Sequence, residues 1–145
     1  MPELPEVHTI TSDLFNNIVG YTIRECVITD GYTALPTNET FTNTVLDKKI
    51  KSVERIAKNI LVHLNDDFII HFHLAMTGQI LLKEFHNYSP EGWLRVLLKV
   101  ENNESTRYIL FNDMRKFGKI AIINNSDRQK LLEKYGPEPI LEGLD

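Results

Sequence analysis

A single cysteine, Cys26, stands in 145 residues. A lone thiol excludes an internal disulfide framework, and it excludes a cysteine-built zinc site, which takes about four Cys or His ligands at close spacing. Long apolar runs are missing too: nothing approaches the roughly 20 residues a helix needs to cross a bilayer, so a helical membrane protein is not expected. The opening MPELPEV has neither the basic stretch nor the apolar stretch of a secretory signal, which leaves the cytoplasm as the expected compartment. Positive charge is also short, with 16 Lys and Arg against 20 Asp and Glu for a net charge of -4. Proteins that grip nucleic acid draw much of their affinity from cations that neutralise phosphates, so composition alone argues against a strong nucleic-acid binder. Internal repeats and low-complexity tracts are absent.

What remains is an ordinary globular composition, 42% hydrophobic and 25% charged, at a length that suits one domain. After Pro5, the residues Val7, Ile10, Leu14 and Ile18 recur at helical spacing, and Gly20 is a natural stop. From Tyr21 the pattern turns to short β-rich runs at 21–29, 50–56, 59–65, 68–74, 79–84, 94–101, 106–112 and 117–123. Asn65-Asp66-Asp67, Thr77-Gly78 and Asn102-Asn103 read as turns between them, giving a hairpin-rich system. A short helix is expected around 39–47. Another is expected at 127–135, capped by Ser126 or Asp127, with Leu131, Leu132 and Tyr135 as its packing face and Gly136-Pro137 as its end. The expected fold is α+β and mainly β: a two-layer antiparallel β-sandwich of about eight strands, flanked by an N-terminal and a C-terminal helix.

The first residues carry the most chemistry. Once Met1 is removed, as is usual before a small residue, Pro2 becomes a free secondary amine. An α-amine titrates near pH ~8 and a lysine near ~10.4, so roughly a tenth of such an amine is neutral at pH 7, against well under a thousandth of a lysine. The neutral amine attacks an electrophilic sugar carbon, and a secondary amine goes directly to a charged iminium that favours elimination at the neighbouring carbon. Glu3 and Glu6 lie beside it, so a proton donor and a proton acceptor are available together. The alternative is a plain helix start, since Pro and Glu suit a first turn.

MPELPEV at the N-terminus resembles the opening of the formamidopyrimidine-DNA glycosylase and endonuclease VIII family. The resemblance implies that Pro2 is the Schiff-base nucleophile, that Glu3 is the acid that helps open the deoxyribose, and that Glu6 assists proton transfer. Three further segments are similar to the family in the same order. Arg55-Ile56-Ala57-Lys58-Asn59 resembles its turn before a strand, which gives Lys58 a phosphate beside the lesion and a part in catalysis. His73-Leu74-Ala75-Met76-Thr77-Gly78 resembles the loop that carries a methionine, here Met76, into the duplex; the family usually has glycine where Ala75 stands. Asn112-Asp113-Met114-Arg115-Lys116-Phe117-Gly118 resembles the loop whose arginine, Arg115, contacts the orphaned base and whose phenylalanine, Phe117, enters the opposite stack.

A wedge on a hairpin tip suits the gap left by a flipped nucleotide, and Arg115 and Phe117, two apart, would project to one side of an extended loop. Each segment has a plainer reading: a solubilising lysine at a hairpin, a core methionine, an ordinary strand end. His71 and His73 share a strand face at i, i+2, but no carboxylate or cysteine pattern accompanies them, so structural histidines are expected rather than metal ligands. Trp93 to Arg95 occupies the region where bacterial members often place a histidine-containing phosphate contact. His8 stands where many members have glutamate.

The resemblance implies a bifunctional DNA glycosylase and AP lyase of base excision repair, acting on oxidised bases in double-stranded DNA. Residues 1–137 would be its N-terminal catalytic domain and 138–145, after Tyr135-Gly136-Pro137-Glu138-Pro139, the start of an interdomain linker. The family's helix-two-turn-helix and zinc finger would lie in an absent C-terminal half, so no cofactor and no metal are expected in this chain. Lesion preference and oligomeric state stay open, with a monomer favoured. The competing class is a non-catalytic isolated domain or truncated remnant without productive DNA binding.

Overall fold

The apolar spacing of Ile10, Leu14 and Ile18 winds into α1, Leu4–Ile18, which buries Leu14 and Ile18. Gly20 ends it at φ +94°, a left-handed conformation that costs glycine little, and its N–H donates to the Ile50 carbonyl oxygen at 2.8 Å. The computed structural model describes the backbone of residues 4–84 and 93–135 and the side chains of 10–84 and 93–135. The expected runs form eight strands: β1 Thr22–Ile28, β2 Ile50–Ile56, β3 Asn59–Leu64, β4 Ile69–His73, β5 Gly78–Lys83, β6 Leu94–Glu101, β7 Thr106–Asp113 and β8 Lys119–Ile123. Two more helices are α2, Asn38–Val45, and α3, Asn125–Tyr135.

The strands make two antiparallel sheets of four, ordered β1-β6-β7-β5 and β2-β3-β4-β8. Their facing sides form one core, in which the Phe72 and Phe111 rings meet edge to face at 5.8 Å between centroids. Two-sided burial explains the apolar run Ile60-Leu61-Val62 in β3. Ile60 and Val62 enter the core between the sheets, whereas Leu61 joins Ile56 and Ile69 in a second cluster against Leu131, Leu132 and Tyr135 of α3.

Polar contacts fix α3 on that outer face. Arg128 donates to both Glu54 carboxylate oxygens, Nη2 to Oε2 at 3.0 Å, and His63 Nε2 lies 2.6 Å from Oε1. Burial alone would raise the Glu54 carboxyl, but these His63 and Arg128 hydrogen bonds outweigh it and hold it at about 2. The cap of α3 differs from expectation. Asn124, not Ser126 or Asp127, caps the helix: its Oδ1 accepts from the Asp127 N–H at 2.9 Å, and Asp127 Oδ2 accepts from the Asn124 N–H at 3.2 Å. This reciprocal box starts the helix two residues early.

Two connections position the site. β4 and β5 follow each other in the chain but lie in different sheets, as do β7 and β8. The loop bearing Met76 is therefore a crossing between layers and not the hairpin tip that Thr77-Gly78 suggests. β4 pairs with β8 and β5 with β7, with His73 opposite Lys119 and Gly78 opposite Asp113, so the two crossings run side by side at one end of the sandwich. Asn59 opposite His73 brings the tight β2–β3 turn, Ala57-Lys58, to the same end. α1 runs antiparallel to β2: Gly20 bonds Ile50, while Thr11 and Ser12 share a groove with Val53, Glu54 and Arg55. Its N-terminal turn is thus directed toward the Lys58 end.

Candidate functional site

At the β2–β3 turn Ala57 takes φ +55°, and Lys58 follows it, partly exposed. The turn is closed from inside by Asn59, whose Nδ2 donates to the Ile56 carbonyl oxygen at 2.9 Å. That bond fixes the amide orientation, so Oδ1 is the atom that faces His71 Nε2 at 2.8 Å and His73 Nδ1 at 3.1 Å. An amide oxygen only accepts, hence both rings donate to it. Burial, then the neighbouring His73, pushes His71 down to about 4. His73 is lowered by burial and then by Lys119, Lys134 and Lys58. The pair therefore serves as neutral donors to Asn59, the structural role expected of them. The weight of Asn59 itself was not legible, because its two histidine partners are 12 and 14 positions away.

The first crossing, residues 74–77, places Ala75 at φ +53° and leaves Met76 51% exposed. A core methionine is thereby ruled out. The left-handed Ala75 gives a reason why glycine would suit that position. The second crossing is a turn at Met114 and Arg115 with Lys116 at φ +59°, not an extended loop, so two-residue alternation does not aim its side chains. Arg115 is exposed nonetheless, and Phe117 is 52% exposed. Trp93 and Met114 are exposed at the same end, since Trp93 accepts from the Asp113 N–H at 2.8 Å through its carbonyl. Four of the nine exposed large hydrophobics among the described residues thus gather here, a concentration that marks a contact surface.

Beneath this surface lies a polar base. Asp113 is 0% exposed; its carboxylate accepts from Thr77 Oγ1 and, at 2.5 Å, from the Gly118 N–H. Arg95 is 8% exposed and spends its Nε on the Asp113 carbonyl oxygen at 2.8 Å and its Nη2 on that of Met114 at 3.4 Å. In the region where bacterial members of the resembled family often place a histidine-containing phosphate contact, Arg95 supports a loop. The Tyr32 hydroxyl donates to the Gly118 carbonyl oxygen at 3.1 Å, and burial, then the Asp113 charge, pushes its phenol up to about 12, so it stays protonated.

Lys58, Arg115, Lys116 and Lys119 all lie on or beside the three connections at this end, above the buried Asp113 carboxylate. The net charge of -4 does not show where on the fold such cations gather. Pro2 and Glu3 lie outside the described residues, and Glu6 is described only as part of the α1 backbone. Among the described residues no group of three His, Cys, Asp or Glu gathers to hold a metal ion, and no helix is long and apolar enough to cross a membrane.

The same architecture and sequence recur in known proteins. The formamidopyrimidine-DNA glycosylase of Desulfitobacterium hafniense is 36% identical over 153 residues, covering 99% of this chain and 52% of that protein. That of Protochlamydia amoebophila is 35% identical over 147 residues, covering 99% and 51%. Among solved structures, the Lactococcus lactis formamidopyrimidine-DNA glycosylase bound non-covalently to DNA containing an AP site matches with a TM-score of 0.83 at 28% identity, over 99% of this chain and 54% of that one. A MutM structure in complex with carbocyclic 8-oxo-G containing DNA matches with a TM-score of 0.80 at 26% identity, over 92% and 49%. The chain spans about half the length of the curated relatives it matches. Residues 1–120 match the model of the formamidopyrimidine-DNA glycosylase N-terminal domain, and the chain belongs to that family.

Proposed function

We propose that this chain is the nucleophile-bearing half of a base-excision DNA glycosylase and AP lyase that acts on oxidised bases in double-stranded DNA. The observation that carries the reading is the convergence, at one end of the sandwich, of exposed Met76 and Phe117 with Arg115 and Lys58. Flat or unbranched apolar side chains beside cations suit a duplex from which one nucleotide has been turned out: the apolar groups replace lost stacking, the arginine meets the orphaned base and the lysine meets a phosphate. Relatives of this domain are named as glycosylases and solved on damaged or abasic-site DNA, which supports the reading.

In the proposed reaction the neutral Pro2 nitrogen attacks C1′ of the damaged nucleotide, the N-glycosidic bond breaks, and the base leaves with the proton that the attacking amine gives up. Glu3 protonates the ring oxygen as the deoxyribose opens, and Glu6 assists proton transfer. The resulting iminium loses a C2′ proton, and elimination breaks the C3′–O bond with the phosphate as leaving group. The steps use the amino-terminal nitrogen of Pro2 and the Glu3 and Glu6 carboxylates; the zinc site implied by the resemblance belongs to the part of the longer relatives that this chain does not span. The cytoplasm is the proposed compartment.

The test is borohydride trapping of untagged protein, Met1 removed, on duplex DNA with an abasic site at low salt, which favours weak electrostatic binding. A covalent adduct is expected. An amino-terminal tag turns the Pro2 nitrogen into an amide, so trapping should fall to background while folding is unchanged; a tagged chain that traps normally excludes the proline mechanism. A second reading, a domain without productive DNA binding, is favoured by the net charge of -4, which is poorly suited to neutralising phosphates. A folded, untagged chain that yields no adduct would establish it.

A further inference from the structure

A buried carboxylate persists in a fold only where both oxygens are satisfied. In Asp113 each oxygen is held by a different loop. Thr77, the residue after Met76, donates its hydroxyl to Oδ1, and Gly118, the residue after Phe117, donates its N–H to Oδ2 at 2.5 Å. The Thr77 hydroxyl oxygen also accepts from the Arg115 N–H at 3.3 Å. One carboxylate and one hydroxyl thus tie together the backbones that carry all three side chains of the exposed end. The neighbourhood leaves little room for slack: a Cβ on Gly118 would lie 2.7 Å from Asp113 Oδ2 and 2.8 Å from the His73 carbonyl oxygen, and a Cβ on Gly78 would lie 2.5 Å from the Leu74 carbonyl oxygen.

We propose that Thr77 and Asp113 are positioning residues that clasp the two sheet-crossing loops into one rigid wedge, so that Met76, Arg115 and Phe117 meet a duplex at fixed spacing. This rests on the reading that this end of the sandwich enters duplex DNA. Successive bases on a strand are about 3.4 Å apart, and side chains from two independent loops would have to be ordered separately at the moment of insertion. A preformed clasp removes that entropic cost.

The test compares Thr77→Val, which keeps the shape but removes the hydroxyl, with Thr77→Ser, which retains it. Amide hydrogen exchange of the free chain reads the clasp itself. In Thr77→Val the Arg115 and Gly118 amides should exchange about tenfold faster, while Phe72 and Ile120 in the β4–β8 ladder keep their protection; Thr77→Ser should behave as the parent. Borohydride trapping reads the role: Thr77→Val should trap about tenfold more slowly on a duplex abasic site and equally fast on the same oligonucleotide single-stranded, where no stack has to be entered. Unchanged exchange at both amides overturns the clasp. An unchanged duplex rate, or an equal loss on both substrates, overturns the positioning role. A parent chain that traps neither substrate overturns the proposed activity instead, and amide exchange still decides the clasp.

Discussion

Met76 presents half its surface to solvent, an arrangement that contributes little to folding. Met76→Ala should therefore change stability by no more than about 0.5 kcal/mol. Under the proposed function the same truncation should slow duplex trapping roughly tenfold, equivalent to about 1.4 kcal/mol of lost wedge contact. Thermal unfolding and the trapping rate, measured side by side, check both halves; a large loss of stability would mean that Met76 packs in the fold. The residue scale also shows where sequence reading ran short. Asp113 sits among Asn112, Met114, Arg115 and Lys116, a stretch whose plainer reading is a strand end, and its contacts with Gly118 and with Thr77, 36 positions away, explain how its carboxylate is buried.

At the scale of elements, α3 is a helix that lies on the sheet without entering the core. None of its residues is fully buried, and it holds to the sheet through Arg128 on Glu54 and the contacts of Leu131, Leu132 and Tyr135. Its start consequently depends on the Asn124–Asp127 box. Asn124→Ala should cost about 1 kcal/mol, read as a lower denaturation midpoint with faster amide exchange confined to the first turn of α3. An unchanged midpoint would remove the cap from the account. Strand extents were legible to within a residue or two because alternation of apolar and polar positions is local. The loops were not, since Thr77-Gly78 has the same composition whether it closes a hairpin or carries the chain from one sheet to the other.

Across the described residues, half-buried His71 and Glu54, with His73 lowered in the same direction as His71, shape the response to acid. His71 has a folded value of about 4 against an ordinary 6.5, so the unfolded chain takes up the proton first; its contribution is complete above pH 6.5 and is lost as pH falls to about 4. Glu54, held at about 2 against an ordinary 4.5, adds stability above pH 4.5 that is lost as pH falls toward about 2. A urea midpoint measured against pH should be level above neutrality and decline through both ranges. A midpoint that stays level from pH 7 to 4 would mean that His71 is not buried as a neutral donor.

The sequence by itself determined the strand and helix content, the two-layer class and the motifs that tie the chain to its family, because all of these are written in short-range periodicity and contiguous residues. Tertiary structure alone decided that loops separated by some 40 residues share one end, that a chain of net charge -4 concentrates cations there, and that Asp113 lies beneath both loops. The physical reason is that sheet pairing is a long-range choice: β4 against β8 and β5 against β7 bring distant segments side by side through backbone hydrogen bonds that any sequence can make.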